Sequence, residues 1–137
     1  MASRRGMSYA SLNRALAAGP SGAVGRPRPI RRAPGAMNSW ERAYADKLEL
    51  LRISGVIVSW SFEPMSFRLA RKTFYHPDFM VITPAEVQFH EVKAVAEDDA
   101  RAKWKIAAEL HPWARWVWAQ RRSAKEPWAI TEYRKEA

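Results

Sequence analysis

The sequence predicts an α/β fold in which helices flank a mixed central β-sheet. Three observations support this fold class. Apolar residues recur at helical spacing in two segments, short apolar or alternating runs lie between and after those segments, and Gly or Pro residues separate the runs. In chain order the segments predict a helix, four strands, a second helix and two further strands, with no internal repeat.

The first helix is predicted to begin after Ser39, a suitable N-cap, and to end before Gly55. Its apolar stripe consists of Trp40, Tyr44, Leu48 and Leu51. On a helical wheel Glu41 lies at the margin of that stripe, so its carboxylate can face the interior.

Strands are predicted at six positions along the chain: 56–62, 67–74, 79–82, 87–95, 115–119 and 128–133. The short spacing between the third and fourth favours an antiparallel hairpin. Between the fourth and fifth strands, Asp98 is predicted to cap a helix that ends near Leu110, because Pro112 follows.

The composition indicates one modest domain. The chain has 137 residues, of which 47% are hydrophobic, which is enough for a core. Because cysteine is absent, a disulfide framework and a thiolate metal site are excluded. No apolar run approaches the ~20 residues of a membrane span, so we expect a cytoplasmic protein without membrane association.

The net charge of +9 is concentrated in residues 1–38, which contain seven arginines and no acidic residue. Residues 18–36 are also rich in Gly and Pro, which predicts a disordered basic tail over 1–38 and a folded domain over 39–137. Such a tail suits a polyanion, since each phosphate that it neutralises releases counterions. The alternative is a solvated tail that serves solubility alone.

The residues with the clearest chemistry are Pro77-Asp78 and, thirteen positions after Asp78, Glu91-Val92-Lys93. Side chains alternate along a strand, so Glu91 and Lys93 share a face, and pairing of the two strands would bring Asp78 beside Glu91. Two converging carboxylates form a hard-oxygen site for Mg²⁺ or Mn²⁺, with the Val92 backbone carbonyl as a further ligand. Glu41 is the expected third acid.

Lys93 is expected to orient or deprotonate an attacking water and to offset charge on a phosphorane. Each residue also has a purely structural alternative. Asp78 can begin a strand as a turn residue, Glu91 and Lys93 can form the exposed face of an edge strand, and Glu41 is favoured in a first helical turn by the helix dipole. His76 and His90 flank the motif, but without a second ligand pair we expect packing or phosphate contact rather than zinc binding.

The order of a helix Glu, Pro-Asp and Glu-X-Lys resembles the PD-(D/E)XK nuclease superfamily. More narrowly, Tyr-X-Pro-Asp-Phe, Glu-X-Lys, Asp-Asp-X-Arg and His-Pro resemble the endonuclease I Holliday-junction resolvases of tailed bacteriophages, over about residues 39–119. This resemblance implies a restriction-endonuclease-like fold and metal-dependent phosphodiester hydrolysis by Asp78, Glu91 and Lys93, with Glu41 in the acid position of the first helix. One departure is Ala94, where the family usually has Gly.

Basic residues on two elements are predicted to contact DNA: Arg71, Lys72, Arg101, Lys103 and Lys105. On the second helix a core stripe is expected from Ala102, Ile106, Leu110 and Trp113. That stripe would leave Trp104 outward among the basic groups, an arrangement that suits nucleic acid, although an ordinary solvated helix is the alternative.

The leading function hypothesis is a Mg²⁺-dependent endonuclease on branched DNA, encoded by a phage or prophage and acting in the bacterial cytoplasm. The resemblance implies a homodimer, because paired cuts at a four-way junction need two sites. Four tryptophans of the C-terminal half can form an interface or can all be core: Trp113, Trp116, Trp118 and Trp128. The alternatives are a nicking or restriction-type nuclease and a non-catalytic nucleic-acid-binding protein.

Overall fold

The computed structural model describes residues 35–95 and 98–133, so the predicted tail over 1–38 lies almost entirely outside the described residues. Nine elements follow in chain order: α1 Ser39–Ile53, β1 Ser59–Phe62, β2 Phe67–Ala70, β3 Thr73–Tyr75, β4 Phe79–Ile82, β5 Val87–Lys93, α2 Asp98–Leu110, β6 Arg115–Gln120 and β7 Ala129–Glu132. Neither helix of these ranges combines the length and hydropathy that a membrane span requires.

Five strands form one mixed sheet in the order β1-β4-β5-β6-β7, and β2 pairs with β3 in a separate hairpin. β5 and β6 are parallel and joined through α2, whereas the other neighbours in the sheet are antiparallel. The predicted α/β class with a mixed sheet and two helices is therefore confirmed. With these directions, the end of β1, the start of β4 and the ends of β5 and β6 meet at one edge, which we call the carboxyl edge.

The sheet is covered on both faces. On one face α1 packs through Tyr44 and Leu48 against Phe79, Val81 and Val92. On the other face α2 and the β2–β3 hairpin pack on a second cluster dominated by aromatic rings: Phe67, Tyr75, Phe89, Trp104, Trp116 and Trp118. Burial on both faces explains the continuous apolar character of β4 and β6.

Several predicted element bounds are corrected by the structure. Asn38, not Ser39, is the N-cap of α1, because its side chain accepts from the backbone N–H of Glu41. The strand predicted over 67–74 is a hairpin instead, since Lys72 takes a positive φ of 58° in the turn between β2 and β3. The strand predicted over 56–62 begins at Ser59, and the one predicted over 87–95 ends at Lys93.

The predicted core stripe of α2 is also wrong. Trp104, Ala107 and Ala108 face the sheet, whereas Ile106 and Leu110 are about half exposed. The two alanines allow the helix to approach the sheet closely, and the large ring of Trp104 packs edge-on against Trp118 at 5.6 Å between centroids. Because Trp104 faces the sheet, Ile106 and Leu110 lie on the outer side of the helix.

Candidate metal centre

The carboxyl edge brings together side chains from three elements. β1 and β4 pair with Phe62 opposite Phe79. Glu63 and Asp78 are the next residues beyond this pair, so they lie side by side. The backbone N–H of Glu63 donates to the carbonyl of Asp78 at 2.8 Å. On the other side of β4, Phe79 lies opposite His90, which places Asp78 beside Glu91 as the sequence predicted.

Glu41 reaches this edge from the first turn of α1, where it is only 5% exposed. Its carboxylate oxygen Oε2 accepts from the backbone N–H of Asn38 at 2.8 Å, and its own N–H donates to Asn38 Oδ1 at 2.8 Å. This capping box holds the Glu41 side chain against the start of the helix and restricts its rotamers. The capping bond therefore positions the carboxylate at the edge of the sheet.

Three carboxylates converge at this point. One oxygen from each of Glu41, Glu63 and Asp78 lies within 4.8 Å of the other two. Glu41 and Asp78 are buried, whereas Glu63 is exposed and forms the solvent side of the group. Such a set of carboxylate oxygens from separate elements can hold a divalent cation.

Glu91 is next to this group but outside that set of three. Its Oε2 accepts from the Tyr75 hydroxyl at 2.7 Å, and its Oε1 lies 3.4 Å from Lys93 Nζ. Glu91 is 4% exposed, whereas the Lys93 side chain keeps 26% of its surface exposed. Lys93 therefore lies between the buried Glu91 carboxylate and the solvent at the carboxyl edge.

Burial at this edge opposes the ionisation of Asp78 and Glu91. Burial, and then the charge of Glu91, raises the pKa of Asp78 to about 8, although a hydrogen bond from the Val92 N–H at 2.8 Å to Oδ2 favours the charged form. Burial also raises the pKa of Glu91, against the lowering effects of Tyr75 and Lys93. A cation between the carboxylates would remove this repulsion.

The donor set fits Mg²⁺ or Mn²⁺ better than zinc. The converging atoms are carboxylate oxygens, which hard divalent cations prefer. Neither histidine near the motif joins them, because His76 is exposed outside the group and His90 points to the α1 face of the sheet. The predicted ligand role of the Val92 carbonyl stays a prediction, since the Val92 contact to this site is its N–H.

His90 is a packing residue, in agreement with one of its two predicted roles. It is fully buried, and burial lowers its pKa to about 3, so the ring is neutral. The Tyr44 hydroxyl bonds to Nδ1, and Nε2 lies 2.8 Å from Gln88 Oε1. The Tyr44 bond connects α1 with β5, and the Gln88 bond lies within β5.

Glu63 is the site residue that sequence reasoning missed. Its backbone φ of 45° lies in the left-handed region, which is uncommon for a residue other than glycine and is a strain typical of functional sites. The available signal was Glu63-Pro64 directly after a predicted strand. Without the β1–β4 pairing, nothing in that dipeptide indicates that it faces Asp78.

The predicted DNA contacts fall on two separate surfaces. Arg71 and Lys72 are exposed in the β2–β3 turn rather than on a strand, and Lys103 and Lys105 are exposed on α2. Arg101 is partly covered, with its guanidinium carbon 5.1 Å from the Trp118 ring centroid, because Trp104 faces inward and not outward. Their contact with DNA stays a prediction.

Of the four tryptophans considered for an interface, three belong to the core: Trp116, Trp118 and Trp128. Trp113 is 59% exposed and packs one edge against Phe89. Large apolar surface for a partner is therefore restricted to Trp113 among these four.

Comparison of the chain with protein-family models, curated proteins and solved structures gave no significant match.

Proposed function

We propose that this protein is a metal-dependent DNA endonuclease of the PD-(D/E)XK type, selective for branched DNA. The observation that supports it most is the convergence of Glu41, Glu63 and Asp78 within 4.8 Å at one sheet edge. Glu91 and Lys93 flank this group, so the residues of the sequence motif are neighbours in space. The mixed sheet with a helical crossover between β5 and β6 supports a restriction-endonuclease-like fold by analogy.

In this proposal Glu41, Glu63 and Asp78 hold Mg²⁺ or Mn²⁺, with Glu91 as a further acid beside them. The cation supplies Lewis-acid stabilisation of charge on a phosphodiester. Burial at the sheet edge strengthens the interaction of the carboxylates with a cation, because the surrounding medium is less polarisable than water.

Lys93 is proposed to orient or deprotonate the attacking water. Its ammonium lies 3.4 Å from Glu91 Oε1 and remains partly exposed, so it can also donate to a water or to a phosphate oxygen. Tyr75 holds the other oxygen of Glu91 and keeps that carboxylate in place. A positive charge at this position offsets negative charge on the phosphoryl oxygens in the transition state.

The direct test is incubation of the purified chain with labelled four-way junction, flap, duplex and single-stranded DNA. Each substrate is tested with Mg²⁺, with Mn²⁺ and with EDTA. We expect cleavage of the branched substrates with metal and none with EDTA. Absence of cleavage of every substrate, with binding retained, would favour the non-catalytic nucleic-acid-binding alternative.

The oligomeric state distinguishes a resolvase from a nicking enzyme. One acid cluster cuts one strand per encounter, so paired cuts before dissociation need two chains. We propose a homodimer, to be checked by sedimentation and by a cruciform plasmid assay. A monomer that releases only nicked plasmid would favour the nicking enzyme.

A further inference from the structure

Arg121 follows β6 at the carboxyl edge and is enclosed by two indole rings. Its guanidinium carbon lies 4.2 Å from the Trp128 ring centroid and 5.5 Å from that of Trp40. Its backbone N–H donates to the carbonyl of Lys93 at 3.3 Å, and Trp40 directly precedes Glu41. We call these three residues, Arg121, Trp40 and Trp128, the Arg121 cage, and it adjoins the proposed metal site.

The cage holds a buried cation for which residues 35–95 and 98–133 provide no carboxylate partner. Arg121 is 7% exposed, and its Nε is buried without a hydrogen-bond acceptor. The ring contacts with Trp40 and Trp128 stabilise the cation but accept no hydrogen bond in the guanidinium plane. A buried charge without a hydrogen-bonded counterion is costly, so an anionic acceptor would stabilise this arrangement.

A second donor in the same contact also lacks an acceptor. The indole Nε1 of Trp128 is buried without a partner, and the Trp128 side chain is only 1% exposed. Buried donors of native proteins are nearly always hydrogen-bonded. The two orphan donors indicate that an acceptor completes the cage.

A second cation lies close to the cage. Lys47 of α1 stands close enough to Arg121 that, after burial itself, the Arg121 charge lowers the Lys47 pKa. Burial likewise lowers the pKa of Arg121. Two neighbouring cations repel one another, and this repulsion is relieved by a bound negative group.

We propose that the Arg121 cage binds a phosphate group, supplied by the DNA backbone next to the phosphodiester that lies at the carboxylates. The DNA part of this statement rests on the proposed function, whereas the phosphate site does not. Guanidinium donors match phosphate oxygens in a planar, bidentate geometry. Stacking of a nucleobase on the cage is disfavoured, because Trp128 has almost no free face.

The phosphate site is tested with inorganic phosphate in EDTA, without DNA or metal. We expect the ¹⁵N–¹H signals of Arg121 Nε and Trp128 Nε1 to shift and saturate on titration with phosphate, and chloride at equal ionic strength to leave them unchanged. Arg121→Gln should abolish the Trp128 shift, whereas Arg122→Gln, the exposed neighbour with the same change of charge, should retain it. If neither signal of the wild-type chain shifts specifically, the cage is a structural cation–π cluster and the proposal is wrong.

The DNA arm uses branched and duplex DNA with Ca²⁺ in place of Mg²⁺, so that binding is measured without cleavage. Loss of a charged hydrogen bond should weaken binding about tenfold for Arg121→Gln. Loss of one phosphate contact should also reduce the log-log salt slope by ~0.9. The matched Arg122→Gln variant is expected to stay within about twofold of the wild type.

Arg121→Lys distinguishes the effect of the positive charge from that of the guanidinium geometry. It also provides a folded variant for comparison if Arg121→Gln misfolds. It keeps the charge, so folding should be retained, but a lysine lacks the planar fork and should bind DNA between the wild type and Arg121→Gln. Phosphate-induced shifts in a protein that cleaves no DNA would support the cage and reject the nuclease. Metal-dependent cleavage with identical affinities for Arg121→Gln and Arg122→Gln would reject the cage and leave the nuclease standing.

Discussion

Strands β5 and β6 have charged groups at both ends, and the two ends are built differently. At the amino end, Glu86 Oε1 accepts from Arg115 Nε at 2.8 Å, and Arg115 also pairs with Glu132. At the carboxyl end, four acids lie near one another and Lys93 is the cation paired with them among the described residues. The amino end is an ion-pair network in which both acids contact Arg115, whereas the carboxyl end places acids beside one another.

Access to solvent does not explain this difference. The amino end borders an open cavity of about 310 Å³ lined by Glu86, Arg115, Glu132 and Tyr133, among others. The difference lies in pairing. Glu86 raises the pKa of Arg115 through its hydrogen bond, so each charge of this pair stabilises the other in the folded protein. The carboxyl end instead raises the pKa of Asp78, which is typical of a site organised for a ligand rather than for stability.

The largest expected effect comes from removing an acid of the carboxyl end. Asp78→Ala or Glu91→Ala should lower Mg²⁺-dependent cleavage at least about 1,000-fold, because several kcal/mol of transition-state stabilisation are lost. DNA binding should be retained. Glu132→Ala, at the end of β7 beside the amino ends of β5 and β6, is the matched control and should cleave at a rate within about twofold of the wild type. Equal losses from both ends would mean that the two clusters differ in charge but not in function.

Lys93→Arg should have the next largest effect. The variant keeps the charge near Glu91, but the planar guanidinium donates in fixed directions and does not act as a base at neutral pH. Single-turnover cleavage should fall about 100-fold, whereas metal affinity measured by calorimetry should change little. Near-normal turnover would assign Lys93 a charge-balancing role only.

The stability of the metal-free protein should depend on pH through Asp78. Its pKa is raised from 3.8 to about 8, so unfolding releases a proton from Asp78 and this contribution to the free energy of unfolding falls as pH rises. The lowered pKa of buried His90 gives a contribution of opposite sign below about pH 6.5, so we expect the net fall between about pH 6.5 and 8. The slope is at most about 1.4 kcal/mol per pH unit for one proton. Above about pH 8 this contribution is constant.

Urea unfolding at several pH values in EDTA measures this slope, and Asp78→Asn should flatten it. Glu132→Gln is the control outside the carboxyl edge, and it should leave the Asp78 contribution to the slope in place. Adding Mg²⁺ at pH 8 should raise the free energy of unfolding of the wild-type protein again. A flat profile for the metal-free wild type between about pH 6.5 and 8 would contradict the proposed repulsion between buried acids.

The smallest expected effect concerns Glu63, the exposed member of the acidic group. Glu63→Gln keeps the shape of the side chain but weakens one oxygen ligand, so metal affinity should fall about tenfold while folding is retained. Glu109→Gln, an exposed acid of α2 away from the carboxyl edge, is the control and should bind metal as the wild type does. If Glu63→Gln leaves the affinity unchanged, the group of acids at this edge is Glu41, Asp78 and Glu91 alone.

Local patterns in the sequence determined the α/β class, the hairpin of β4 and β5, and the juxtaposition of Asp78 with Glu91. These features depend on spacing within about fifteen residues, where strand alternation and a short connection leave few arrangements open. The buried side of α1, including Glu41, also followed from its helical periodicity. In each case the information lies within one element or one hairpin.

Only the tertiary structure decided which remote segments complete the site. Glu63 reaches Asp78 because β1 pairs with β4, and Arg121 meets Trp40 and Trp128 because β6 ends at the same edge where α1 begins. The buried face of α2 was likewise set by the fit of Trp104 against Trp118, not by the count of apolar residues along the helix. Such contacts depend on shape and pairing across long sequence separations, and a local pattern of polarity does not encode them.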